Sequence, residues 1–143
     1  PNAEIMIAGN RAYLNEIYDR LHSSSNLANP KDLNVLDLDI PGKITLGQES
    51  KISGEASFRF LETAIDRTLA GEFDGIVTAP IAKSAWKAAG HIYPGQTELL
   101  AEKAGVDRFG MMFVARSPHT DWTLRALLAT THIPLRQVSE ALT

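Results

Sequence analysis

The stretch IVTAPIAKSAWKAAGHIYPGQTE, residues 76–98, carries most of the backbone punctuation and reactive side chains of this chain. An apolar run from Phe73 to Val77 predicts a strand that stops at Thr78-Ala79-Pro80. A short helix is expected to follow as far as Gly90, and a Pro94-Gly95 turn then delivers Gln96, Thr97 and Glu98 together. A strand that gives way through a turn to a helix is a common seat of chemistry, because rigid elements position loop side chains without burying their polar groups.

Upstream, Ile5 and Ile7 alternate with small or polar neighbours, a short strand that Gly9-Asn10 interrupts. Leu14, Ile17, Tyr18 and Leu21 then recur at helical spacing, with Asn15, Glu16, Asp19 and Arg20 on the opposite face, and Ser23-Ser24-Ser25-Asn26 closes the helix. Leu33 to Ile40 reads as a second strand ended by Pro41-Gly42. From Gly42 to Gly54 a polar loop is expected. Its glycines match neither a Walker loop nor a GxGxxG fingerprint, which removes a nucleotide-phosphate reading. Ser53 is placed to cap the following helix, whose stripe is Phe58, Leu61, Ile65 and Leu69 and whose C-terminal signal is Gly71.

Downstream, Thr97 is expected to cap a helix over Glu98–Ala104 that Gly105 closes. Met111–Ala115 reads as a buried strand and Trp122–Ala129 as another, close enough to pair antiparallel. Pro134 falls near the first position of a last helix, with Leu135, Val138 and Leu142 on its apolar side. Helices alternating with strands that are apolar on both faces predict an α/β fold, with a largely parallel or mixed sheet covered by helices on both sides.

The totals agree with an ordinary globular domain. The chain has 143 residues, 44% hydrophobic and 22% charged, with a net charge of −3 and no cysteine. One domain over residues 1–143 can bury a sizeable core at this length. No basic footprint for nucleic acid is present, thiolate metal sites and disulfides are impossible, and no apolar run approaches the roughly 18 residues of a membrane span. A cytoplasmic location is the expectation. Pro1 in place of an initiator Met, and an amphipathic helix still running at Thr143, suggest a piece of a longer protein.

Among residues able to do chemistry, His132 stands out, because Thr130-Thr131-His132 lies where an apolar strand ends and a helix begins. A lone histidine there is more often a hydrogen-bonded or exposed residue, and His22, His91 and His119 have no metal-motif spacing to it. Gln96 and Thr97 offer an amide, a hydroxyl and backbone N–H groups for an anionic group, or alternatively a solvent-facing amide and a simple helix cap. Lys83 and Glu98 have ordinary surface roles open to them, Met111 and Met112 suit core filling, and Trp86 either covers a pocket or packs.

Taken together, TAPIAK (78–83), AAG (88–90), PGQTELLAEKAG (94–105), MMFVA (111–115) and TTHIPL (130–135) resemble the 4-hydroxythreonine-4-phosphate dehydrogenase family of vitamin B6 biosynthesis. The resemblance covers most of the chain and is strongest from residue 73 onward. It implies a fold similar to isocitrate and isopropylmalate dehydrogenases, three-layered and homodimeric. It also implies NAD(P)-linked oxidation of the secondary alcohol of a phosphorylated hydroxy-amino acid, with a divalent metal such as Zn, Mg, Mn or Co. The family's TTHxPL histidine is a metal ligand, which falls on His132, and the two residues after the glycine of its GHTE motif contact substrate, which falls on Gln96 and Thr97. Gln96 departs from the family's histidine. A neutral amide there can only hydrogen-bond, which keeps a phosphorylated sugar acid or a dihydrodiol carboxylate as alternative substrates. The family's Gly-Asp-Pro-Ala-Gly type motif, its further metal-binding histidines, its basic substrate residues and its cofactor site would lie before Pro1 and after Thr143. A folding and dimerisation core without activity of its own is the remaining alternative.

Overall fold

A computed structural model describes residues 3–21 and 26–142 of the chain. The helix-ending serines Ser23–Ser25 and His22 lie outside the described residues. The described chain is α/β and divides into two compact units, residues 1–104 and 105–143.

The first unit opens with a βαβ turn. Strand β1 (Met6–Gly9) pairs in parallel with β2 (Asn34–Asp37), Ile7 opposite Val35 and Ala8 opposite Leu36, and helix α1 (Arg11–Leu21) connects them. The Gly9-Asn10 break is a built cap. The Asn10 side chain accepts from the Tyr13 backbone N–H at 2.8 Å and donates to the Leu38 carbonyl at 2.9 Å, while the Asp37 carboxylate accepts from the Arg11 N–H at 2.8 Å. These carboxylate and amide oxygens satisfy orphan donors of the first turn and fix the helix against β2. Strand β2 is shorter than the stretch 33–40 read from hydrophobicity, because only the residues facing β1 find ladder partners.

The long helix α2 (Lys51–Leu69) organises this unit. Its N-cap is Ser50, where the sequence pointed to Ser53. The two serines form a reciprocal capping box, each side chain accepting from the other's backbone N–H at 3.0–3.1 Å. Gly54 is therefore a buried helical residue and not the end of a loop. At the other end Gly71, at φ +80°, follows the helix with the Gly71 N–H bonded to Thr68 and the Glu72 N–H to Arg67, the two bonds of a Schellman ending. Phe58, Leu61 and Ile65 are buried as the stripe predicts, whereas Leu69, beyond the covering elements, is exposed.

Helices α3 (Lys83–Ala89) and α4 (Gln96–Ala104) supply the rest of the core, through the fully buried Trp86 and Leu99. Trp86 meets Phe58 edge-on at 5.3 Å, and its indole N–H donates to Ser57 Oγ at 3.0 Å. Phe58 also stacks on His91, with ring centres 3.5 Å apart, and His91 Nε2 lies 2.8 Å from the Glu55 carboxylate. The edge contact adds to the area the Phe58 and Trp86 rings bury, while the His91 ring lies face to face on Phe58. The expected strand at Phe73–Val77 is not formed: the segment is irregular and unpaired, and Val77 is fully exposed. An apolar run becomes a strand only where a neighbour takes its backbone N–H and C=O groups, and none of the described strands does.

The second unit holds an antiparallel hairpin, β3 (Met112–Arg116) with β4 (Thr123–Leu127), Phe113 opposite Ala126 and Ala115 opposite Leu124. The expected pairing is present, yet β3 is exposed along its length and not buried. A two-stranded ribbon covers neither of its own faces. Helix α5 (Leu135–Ala141) follows, with Pro134 as its N-cap, one position earlier than expected. Leu135 and Leu142 are exposed and Val138 is half-buried. Among the described residues no helix is long and apolar enough to cross a membrane.

Candidate functional site

The candidate residues of the first unit gather where two turns meet. One is Thr78-Ala79-Pro80, in the irregular segment that leads to α3; the other is the Pro94-Gly95 bend, which leads into α4. Gly90, at φ +101°, ends α3 in the left-handed conformation. The Gln96 side chain joins the two turns. Its Nε2 donates to the Ala79 carbonyl at 2.9 Å. A carbonyl offers only an acceptor, so the amide orientation is fixed by chemistry, and Oε1 is left as the free acceptor.

Helix α4 begins at Gln96, two residues before the expected start, so Thr97 lies inside its first turn and does not cap it. The Thr97 hydroxyl thus belongs to a half-buried residue among the first, unpaired N–H groups of α4. Glu98 sits in the same turn, where the helix dipole favours a carboxylate. A side chain on Gly95 would stand 3.2 Å from Glu98 Oε2 and 3.9 Å from Lys83 Nζ, so both charged groups look onto this glycine. Lys83, for which sequence reasoning saw an ordinary surface role, is placed beside the two residues of interest. Trp86 packs in the core and does not cover a pocket.

Four further side-chain contacts brace the unit. The Ser84 hydroxyl donates to the Glu49 carboxylate, tying the start of α3 to the approach to α2. Across α2 and α4, Lys103 Nζ bridges Glu62 at 2.8 Å and Asp66 at 3.2 Å, and the Tyr93 hydroxyl donates to Glu102 at 3.0 Å. The hydrogen bond to Glu102, with desolvation, holds the Tyr93 phenol above its usual range. The bond to Glu62 raises the Lys103 ammonium against the opposing effect of desolvation. These pairs were not legible from sequence, since their partners lie 9 to 41 positions apart.

A separate open cleft of about 290 Å³, lined by Asn10, Tyr13, Glu16, Asp39 and Lys43, lies beyond the carboxyl ends of β1 and β2. Open α/β sheets often bind ligands at such a position. Two of the α1 donors at this end, the Arg11 and Tyr13 N–H groups, already bond Asp37 and Asn10.

In the second unit His132 lies between β4 and α5, exposed, at φ +57°. A left-handed backbone is uncommon for a residue with a side chain and recurs at functional sites. Among the described residues no three His, Asp or Glu side chains group to hold a metal. The residues present therefore do not by themselves fit a divalent ion, which needs three or four ligands.

Comparison with known proteins supplies the context. The family model for the pyridoxal phosphate biosynthetic protein PdxA matches residues 2–143. The chain is 58% identical to a 4-hydroxythreonine-4-phosphate dehydrogenase of a Nostoc species and 57% identical to one of a Synechocystis species, over 99% and 98% of its length. It spans only 41% and 42% of those relatives. A D-threonate 4-phosphate dehydrogenase of Cupriavidus necator is 41% identical over 67% of the chain and 27% of that relative. A solved structure from Salmonella typhimurium, provisionally named a 4-hydroxythreonine-4-phosphate dehydrogenase, matches with a TM-score of 0.67 at 28% identity, covering 85% of this chain and 36% of that one.

Proposed function

We propose, because this chain belongs to the PdxA family of pyridoxal phosphate biosynthetic proteins, that it is the substrate-binding part of a longer NAD(P)-linked dehydrogenase. The substrate is 4-hydroxythreonine 4-phosphate, whose secondary alcohol loses a hydride from carbon to the nicotinamide and its hydroxyl proton to solvent, leaving a β-keto acid disposed to lose carbon dioxide. The observation that carries the reading is the bond from Gln96 to Ala79, which supports treating TAPIAK and PGQTE as one lip and not as two unrelated motifs.

In this reading Thr97 donates its hydroxyl to an oxyanion of the substrate, in front of the free N–H groups of α4. Gln96 holds the facing turn and presents Oε1 to a substrate hydroxyl or ammonium. His132 contributes one imidazole to a divalent-metal site whose other ligands, like the cofactor site, belong to the remainder of the longer protein. A metal held there would supply Lewis-acid stabilisation of an alkoxide. We place the chain in one domain of the three-layer isocitrate dehydrogenase-like fold, in a cytoplasmic homodimer. The free hairpin edges and the unpaired segment 73–77 would take their sheet partners there.

The full-length protein, assayed for NAD(P) reduction with 4-hydroxythreonine 4-phosphate and Zn²⁺, Mg²⁺ or Mn²⁺, tests this directly. Absence of turnover with every ion would overturn it. Gln96 also supports a second reading, in which the substrate is a phosphorylated sugar acid such as D-threonate 4-phosphate. A higher kcat/KM on that compound would favour it.

A further inference from the structure

We propose that Lys83 is a further substrate-binding residue of the Gln96–Thr97 site, its ammonium taking a phosphate or carboxylate oxygen of the substrate. The inference rests on the reading of Gln96 and Thr97 as substrate contacts. Its geometric basis is Gly95. The position a Cβ would occupy there is 3.9 Å from both Cε and Nζ of Lys83, so the lysine arm reaches back from α3 to the residue immediately before Gln96.

That arm is exposed, and unpaired among the described residues. Lys83 is in the first turn of its helix, the end at which the dipole disfavours a cation, whereas Lys87 occupies the favourable last turn. Among the described residues Lys83 makes no ion pair or hydrogen bond. Glu98 Oε2 stands 3.2 Å from the same Cβ position, yet the two charges form no salt bridge among the described residues. The exposed ammonium therefore lies near the start of α4 with no partner among the described residues. The partner chemistry that suits three free N–H donors beside a threonine hydroxyl is an oxyanion. Gly95 is part of the arrangement, because any side chain there would enter the space between Lys83, Glu98 and the substrate.

The test uses the full-length protein and measures dissociation constants and steady-state kinetics for wild type, Lys83→Met and Lys83→Arg. With 4-hydroxythreonine 4-phosphate, Lys83→Met should weaken binding by about tenfold or more, the loss expected for a charged hydrogen bond. The rise should fall mainly on KM, and Lys83→Arg should recover part of it. The same comparison with unphosphorylated 4-hydroxythreonine assigns the oxygen: a persisting penalty identifies the carboxylate, a vanishing one the phosphate. Wild-type binding and turnover together with unchanged binding by Lys83→Met would overturn the role of Lys83 and leave the proposed function standing. If wild type neither binds nor turns over the substrate, the proposed function fails, and the role of Lys83 falls with it.

Discussion

The carbonyl oxygen of Ala85 occupies the space where a side chain on Gly54 would stand, 2.0 Å from the position its Cβ would take. Helices α2 and α3 touch backbone to backbone at this point, which seats Trp86, the next residue, fully inside the core. The indole then reaches Ser57 Oγ, and Ser57 donates in turn to the Gly54 carbonyl. The contact holds α3, and with it the Thr78–Pro80 turn, against the unit that carries Gln96.

Gly54→Ala should therefore destabilise the protein even though alanine favours helix elsewhere. The propensity gain is about 1 kcal/mol, while overpacking against a backbone carbonyl costs roughly 1–3 kcal/mol or more. Because neither partner is a flexible side chain, the cost wins. Chemical denaturation of the full-length protein should give a lower midpoint, and an unchanged or higher midpoint would contradict the close contact.

Alkaline pH should loosen the α2–α4 brace. Tyr93 and Lys103 both hold their protons more tightly in the folded state than at their ordinary values of 10.0 and 10.5. Their contribution to stability is complete below those values and is lost as pH rises through the raised ones. Thermal midpoints should fall above about pH 10, and fall less steeply in a Tyr93→Phe, Lys103→Met double variant. Equal slopes for the two proteins would remove these groups as the cause.

What could be read from sequence was mostly local. Helices α1 and α2 and the glycines Gly71, Gly90 and Gly105 announced themselves because each depends on neighbours within a turn or two. Phe73–Val77 misled because its composition says nothing about whether a partner strand lies beside it. Gly54 misled for a related reason, since its requirement comes from Ala85, 31 positions away in sequence. Gln96 and Thr97 are candidates through motif resemblance, while the bond to Ala79 and the approach of Lys83 to Gly95 depended on the fold. A lysine in the first turn of a short helix was the only sequence-level trace of the latter.

Gln96→Ala should release the Ala79 turn and raise KM for 4-hydroxythreonine 4-phosphate by about two- to tenfold, the range of one lost hydrogen bond. Gln96→His restores the residue of the family pattern. Improved turnover by that variant would identify 4-hydroxythreonine 4-phosphate as the parent substrate, and a loss would mean that this chain's site is built around the amide. Steady-state kinetics on the full-length protein separates the two.

His132→Ala should remove bound metal with little change in stability. The imidazole is exposed and makes no hydrogen bond or ion pair among the described residues, so its loss leaves no cavity and no unpaired group. The left-handed backbone works slightly against alanine, which tolerates φ +57° poorly. His132→Gly removes that strain and is the better control for the fold. Elemental analysis of full-length wild type, His132→Ala and His132→Gly should find the metal lost from both variants, with thermal midpoints near wild type for the glycine form. Full metal stoichiometry in either variant would take His132 out of the metal site and leave its backbone conformation as a feature of the turn alone.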